Sequence, residues 1–356
     1  MTLTYLNNSS SGEAQDSRTP SVRVVPEFFT DPEDEFRAAV TGAALFDSTS
    51  FGRIEVTGED RLGLLHRLST NDLQGLRPSQ VAGTIFTTDK GRILDLVFIA
   101  VLESALLLIV SPGNEDRIIR WVQTYTILED IILRRVTEET AMFSIIGNRA
   151  LEAFGTIGGA IAGANTCGTG EIGGRPVLAV GVHTTRWQGV HVVGARQALL
   201  EARVELTRKG EGRGLAPLGS RAYEWYRIAT GMPALGKELS ESFNPYDAGL
   251  LEFVNFKKGC YIGQEVIARL DTYGKAGRIL SGLVFEHPPE GAGSGTPIMK
   301  DGKEIGQLTS IAAGAVDGRY LGLGVVRTDE IQQDATVRVA GGIATLRSLP
   351  MFPPYS

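Results

Sequence analysis

Lys257-Lys258-Gly259-Cys260-Tyr261-Ile262-Gly263-Gln264-Glu265 sets one of the chain's two cysteines between a lysine pair and the expected start of a helix. A free cysteine titrates near ~8.5, and a neighbouring ammonium or the partial positive charge of a helix N-terminus lowers that value. Gly259 and Gly263 permit positive φ and a close approach of backbone to a ligand. A plainer role suits the same residues, because an isolated cysteine is commonly a small buried hydrophobe. From this segment alone both roles stay open.

The surrounding chain has 356 residues, enough for two or three domains and a substantial core. Its formal net charge of −6 comes without a long basic cluster, which argues against a dedicated nucleic-acid surface. Cys167 and Cys260 make no disulfide framework, and the histidines (His66, His183, His191, His287) fall at no metal-binding spacing. An iron–sulfur cluster held by this chain alone would lack its usual four thiolates. So few cysteines suit a reducing compartment, and a cytoplasmic location is expected. Residues 1–21, with Asn7-Asn8-Ser9-Ser10-Ser11-Gly12-Glu13, lack the apolar core of a secretion signal and read as a disordered tail. The strongest apolar runs, 93–101 and 105–110, are strand-sized, so no membrane span is expected.

Periodicity over 53–137 reads strand, helix, strand, strand, helix, strand: 53–56, the stripe Leu62, Leu65, Leu68, then 84–87, 93–101, 105–110, 114–125 and 131–136. Asn114 suits an N-cap, with Glu115 and Asp116 in the first turn. A second pass repeats the order: strand 141–146, a short helix near Ala150, strands 177–182 and 189–193, and helix 196–208. Two successive βαββα units predict paired α/β layers with mostly antiparallel sheets. The Gly-rich stretch 155–174 reads as a loop interrupting the second unit. Ala222, Trp225, Tyr226 and Ala229 fall on one face of a helix over 220–230. Beyond Arg278, short strands at 280–285, 304–309, 320–325 and 336–339 between glycine-rich turns predict a small β-barrel or sandwich.

The run from Lys258 to Glu265, continued by Val266-Ile267-Ala268-Arg269 and Tyr273-Gly274, resembles the signature of the YgfZ family of folate-binding proteins, relatives of the glycine-cleavage T-protein, an aminomethyltransferase. Ordered matches extend the resemblance from about Glu35 to the C-terminus: Ala44-Leu45-Phe46-Asp47, Thr70-Asn71-Asp72, Gly91-Arg92-Ile93-Leu94-Asp95, Arg227-Ile228, Gly231-Met232-Pro233, Gly236-Lys237-Glu238-Leu239 and Asn244-Pro245. The resemblance implies an α+β fold, a T-protein-like three-domain ring of two α/β units with mostly antiparallel sheets plus a C-terminal small β-barrel. Residues 22–50 and 138–279 would form the folate-binding domain with the cysteine signature, 51–137 a ferredoxin-like α/β unit, and 280–356 the barrel. It implies tetrahydrofolate, or a one-carbon-substituted derivative, as cofactor. Cys260 and Asp95 would be the catalytic groups, and Asn71, Asp95, Trp225, Arg227, Lys258, Gly259, Tyr261, Gly263, Gln264 and Glu265 would line the folate site.

The function implied is assistance to iron–sulfur cluster assembly or repair and thereby to tRNA thiolation enzymes. Its partners would be iron–sulfur client enzymes or assembly proteins, with no direct nucleic acid and no membrane. Two alternatives stand beside it: an aminomethyltransferase fed by a lipoyl carrier, and a non-catalytic protein-binding scaffold. Two departures bear on the first. The T-protein has an acidic pair after its Gly-Gly-Ile-type turn, whereas here Leu96 follows Asp95, and one carboxylate cannot fill two positions. Ala229 stands where the T-protein has a Glu that bonds the pterin ring, a loss of about one to several kcal/mol.

Two phosphate-loop lookalikes are set aside. Gly231-Met232-Pro233-Ala234-Leu235-Gly236-Lys237 fits a Walker A start, yet Glu238 occupies the place of the magnesium-binding hydroxyl. Gly168-Thr169-Gly170-Glu171-Ile172-Gly173 fits G-x-G-x-x-G, but no strand is predicted before it and no helix after.

Overall fold

Asp31 starts the first helix: its carboxylate accepts from the N–H groups of Glu33 and Asp34, Pro32 fits the first turn, and three acidic residues complement the dipole. This helix, α1 (Pro32–Thr41), leads into strand β1 (Ala43–Asp47). The computed structural model describes residues 25–352 apart from 160, 162, 211–213, 273–276 and 332–333. The tail expected over 1–21 and the pair Tyr273-Gly274 lie outside the described residues.

β2 (Gly52–Thr57), α2 (Arg61–Leu68), β3 (Val81–Thr87), β4 (Ile93–Val101), β5 (Leu106–Val110), α3 (Glu115–Thr124) and β6 (Ile132–Arg135) build an antiparallel sheet of order β3-β4-β5-β2-β6. Alternate residues of a strand point to opposite faces. Leu106 and Leu108 therefore pack with Leu64, Leu65, Ile118 and Val122 of the covering helices. Leu107 and Ile109 pack against a second sheet. Burial on both faces explains why β5 reads as an unbroken apolar run.

The second sheet takes β7 (Thr140–Ile146), β8 (Cys167–Ile172), β9 (Arg175–His183), β10 (Gln188–Ala195) and β11 (Leu215–Leu218), with helices α4 (Ala150–Thr156) and α5 (Arg196–Gly210). Its order is β11-β1-β7-β10-β9-β8, antiparallel except for the parallel β1–β11 pair. The stretch read as a loop over 155–174 thus contains a strand. β8 is an edge strand whose backbone pairs with β9, burying Cys167 and Ile172 at its ends, while its glycines and exposed Thr169 and Glu171 hide the pattern.

Helices α6 (Ser220–Thr230) and α7 (Gln264–Thr272) precede a closed barrel of β12 (Arg278–Phe285), β13 (Pro297–Lys300), β14 (Lys303–Ile311), β15 (Tyr320–Arg327), β16 (Thr336–Val339) and β17 (Gly342–Arg347). Its order is β12-β15-β14-β13-β16-β17, and β17 pairs back to β12. A shared core with Phe36, Ile85, Leu96, Trp225, Leu323 and Val325 joins the first sheet, α6 and the barrel. The molecule is therefore the α+β arrangement of two sheet units and a six-stranded barrel.

Candidate functional site

The cysteine segment is held by two anchors. Gly263 has φ +83, and a Cβ there would lie 2.5 Å from the Thr88 carbonyl oxygen and 3.0 Å from the Gly91 Cα. Only glycine lets the turn before α7 sit on the β3–β4 hairpin. The Thr87 hydroxyl donates to the Ile262 carbonyl at 2.8 Å, and Ile262 N–H donates to Arg67.

The second anchor is Lys258, whose ammonium donates to the carbonyls of His66, Ser69 and Asn71, the last two at 2.7 Å each. These carbonyls lie at and just beyond the C-terminal end of α2, where a cation complements the helix dipole. Burial pushes Lys258 down to about 8, which leaves it protonated at neutral pH. Its ammonium also lies 5.0 Å from the ring centroid of buried Tyr261, whose phenol burial pushes up to about 12. All three Lys258 donors are thereby engaged by backbone. Cys260 and Gly259 are exposed beside it. Gln264 Oε1 accepts from Tyr261 N–H at 3.3 Å, and Glu265 is exposed with a 3.2 Å ion pair to Arg269. Asn71 donates to the Gly83 carbonyl at 2.8 Å and its Oδ1 accepts from Asp72 N–H, closing the turn that Lys258 grips.

A cavity of about 80 Å³ lies between the two sheets and α6. Its apolar wall includes Leu96, Phe98, Trp187 and Met232; Ser111, Ser144, Gln188 and His191 supply polar edges. None of its lining residues among those described is Asp or Glu, and Cys260 does not line it. Anchoring by Gly263 and Lys258 leaves the thiol exposed at the surface. Asp95 is fully buried behind this wall. It accepts from Ser111 N–H at 3.0 Å, Ser111 Oγ at 2.6 Å and Asn114 Nδ2 at 2.8 Å. Burial raises its pKa while these donors oppose the rise. Strand alternation gives the cavity Leu96 in its place.

His191 was visible in the sequence only as one of four scattered histidines. Its signal was a polar residue inside an apolar strand, opposite another, Ser144, in the register of β10 on β7. Ser144 Oγ lies 2.6 Å from Ser48 Oγ, which is also 3.2 Å from the Met142 carbonyl oxygen, and 2.8 Å from His191 Nδ1. Burial pushes the imidazole down to about 4, so it is neutral at pH 7.

Trp225 and Arg227, expected at the folate site, are engaged in packing. Trp225 is buried, and its indole N–H donates to the Ala313 carbonyl at 2.9 Å. Arg227, also buried, bonds Glu224, the Met232 carbonyl, Glu238 and Ser310. Glu238 in turn accepts from Thr309 and Ser310 of β14 at 2.6 and 2.7 Å. This clamp ties α6 and the following turn to the barrel. It also explains the acidic residue in the Walker-like run.

Residues 19–258 match the GCVT N-terminal domain, and residues 278–352 match the glycine cleavage T-protein C-terminal barrel domain. The chain belongs to the glycine cleavage T-protein family. A putative chloroplastic transferase of Arabidopsis thaliana is 30% identical over 337 residues, covering 91% of this chain and 74% of that protein. An aminomethyltransferase of Bacillus subtilis is 26% identical over 323 residues, covering 88% of each. The crystal structure of the glycine cleavage system aminomethyltransferase T from Bartonella henselae has the same fold, with a TM-score of 0.77 at 17% identity over 91% of this chain and 90% of that one. Among the described residues no helix is long and apolar enough to cross a membrane, and no group of three or more His, Cys, Asp and Glu is placed to hold a metal.

Proposed function

We propose that the protein is a tetrahydrofolate-binding factor of the YgfZ type, assisting assembly or repair of iron–sulfur enzymes through Cys260. The observations that carry this reading are an apolar cavity whose described lining has no carboxylate and, apart from it, an exposed cysteine on a tightly anchored segment. The lining suits a flat heteroaromatic ring: Leu96, Phe98 and Trp187 offer faces, and Ser111, Ser144, Gln188 and His191 offer polar edges. About 80 Å³ is less than the ~150 Å³ cavity that holds benzene, so admitting a pterin requires the wall to open. Met232, an unbranched side chain touched by the Tyr223 hydroxyl, is the lining residue best able to yield. Bound folate would supply one-carbon or redox chemistry, while the chain's part is to orient the ring and exclude water.

Aminomethyl transfer needs an acid or base within reach of the reacting nitrogen. With Asp95 behind the wall and Leu96 and Ala229 at the remaining acidic positions, only neutral His191 and Tyr223 among the lining side chains titrate. Incubation with an aminomethyl-lipoyl carrier and tetrahydrofolate is expected to give no methylenetetrahydrofolate; turnover would favour the transferase. Cys260→Ser is expected to abolish rescue of iron–sulfur enzyme activity in a deletion strain while thermal unfolding stays unchanged, and full rescue counts against the reading.

A further inference from the structure

Among the described residues three arginines are buried, and the fold treats one of them differently. Arg53 donates to Thr140 Oγ1 and to the carbonyls of Thr49, Phe51, Thr137 and Thr140. Arg227 is closed by the clamp described above. The guanidinium of Arg186, a residue 8% exposed, has a single hydrogen bond among the described residues, from Nη2 to the Gly249 carbonyl at 3.1 Å, and no ion pair there. Its guanidinium also lies 5.3 Å from the centroid of Trp187. The acidic side chains whose charge it feels are Glu252 and Glu238. Glu252 spends both oxygens on Thr185 N–H and Oγ1, at 3.0 and 2.8 Å. Glu238 belongs to the clamp. Burial pushes Arg186 down to about 10, still charged at neutral pH.

The guanidinium borders a second cavity, of about 390 Å³, at the seam between the β9–β10 loop and the barrel. Ser281 and Ser348 offer hydroxyls there, while Leu280, Leu346 and Leu349 give an apolar wall. Arg347 at the same cavity is already paired with Asp334, so Arg186 is its uncompensated charge. The loop is fixed before any ligand arrives: Thr184 Oγ1 accepts from Arg186 and Trp187 N–H at 3.2 and 2.9 Å. A buried cation lacking an acceptor set is costly, and a planar guanidinium matches a carboxylate in two parallel bonds.

The geometry points to this cavity as a binding site for an organic carboxylate with an apolar body, received by Arg186 and the two serines. The site is separate from the central cavity and does not rest on the folate reading. Calorimetric titration of the full chain with glutarate and with 4-aminobenzoylglutamate distinguishes a free carboxylate from one carried on a larger body. At least one probe is expected to bind, and to lose affinity by about tenfold or more in Arg186→Met and in Ser281→Leu, which fills the cavity from the barrel side. The thermal midpoint of Arg186→Met is expected to be no lower than wild type, since an unpaired buried charge has been removed. Silence with both probes, unchanged affinity in both variants, or binding of inorganic phosphate alone overturns the assignment. Neither probe contains a pterin, so failure of tetrahydrofolate to bind leaves this result standing.

Discussion

Asp95 and Leu96 are neighbours on one strand with opposite surroundings: the carboxylate is consumed by Ser111 and Asn114, and the leucine meets the cavity. Asp95→Ala strands buried donors, so urea unfolding is expected to show a loss of about 1–3 kcal/mol. His191 gives a pH signature. Unfolded, an imidazole titrates near ~6.5; folded, burial holds this one to about 4. Between those values the unfolded chain binds more protons, so stability present above the upper value is lost as pH falls through the window, by roughly 1–3 kcal/mol. Urea unfolding between pH 7 and 4.5 is expected to show this drop in wild type and a shallower one in His191→Gln; equal slopes would remove the buried neutral imidazole from the account.

At the scale of elements, the hairpin, the α2 terminus and α7 form one unit around Gly263 and Lys258. Gly263→Ala places a Cβ 2.5 Å from a carbonyl oxygen at positive φ, and the turn must shift. A fall in thermal midpoint with faster proteolysis near α7 is the expected outcome, and an unchanged midpoint would argue against this anchoring. Much of the fold was legible in strand and helix periodicity: 93–101 is β4 as read, and the 220–230 stripe is α6. What escaped had physical causes. β8 hides its pairing behind glycines, since an edge ladder needs backbone and little side-chain pattern. β1 and β11 are short, and their parallel pairing joins residues 43–46 to 215–218, a separation that no local signal reports. At the site, the cysteine segment and its glycine were legible as a motif. The direction in which Asp95, Lys258 and Arg227 point was not, because it depends on tertiary partners; the same holds for the His191–Ser144–Ser48 chain, whose members are far apart in sequence.

On the scale of the whole molecule, two sheets and α6 enclose a mainly apolar cavity with serine, glutamine and histidine at its edges, and a closed barrel packs beside them. Under the proposed function this cavity takes a reduced pterin, and no Asp or Glu is among its described lining residues. Ligand binding to the native state alone should raise the thermal midpoint in proportion to ligand excess. The most direct measurement is calorimetric titration of tetrahydrofolate into wild type and into Leu96→Trp, whose bulk fills the cavity, with circular dichroism showing both folded. The account expects saturable one-to-one heat in wild type and none in Leu96→Trp. Absence of heat in wild type, or equal binding in the two proteins, would contradict it.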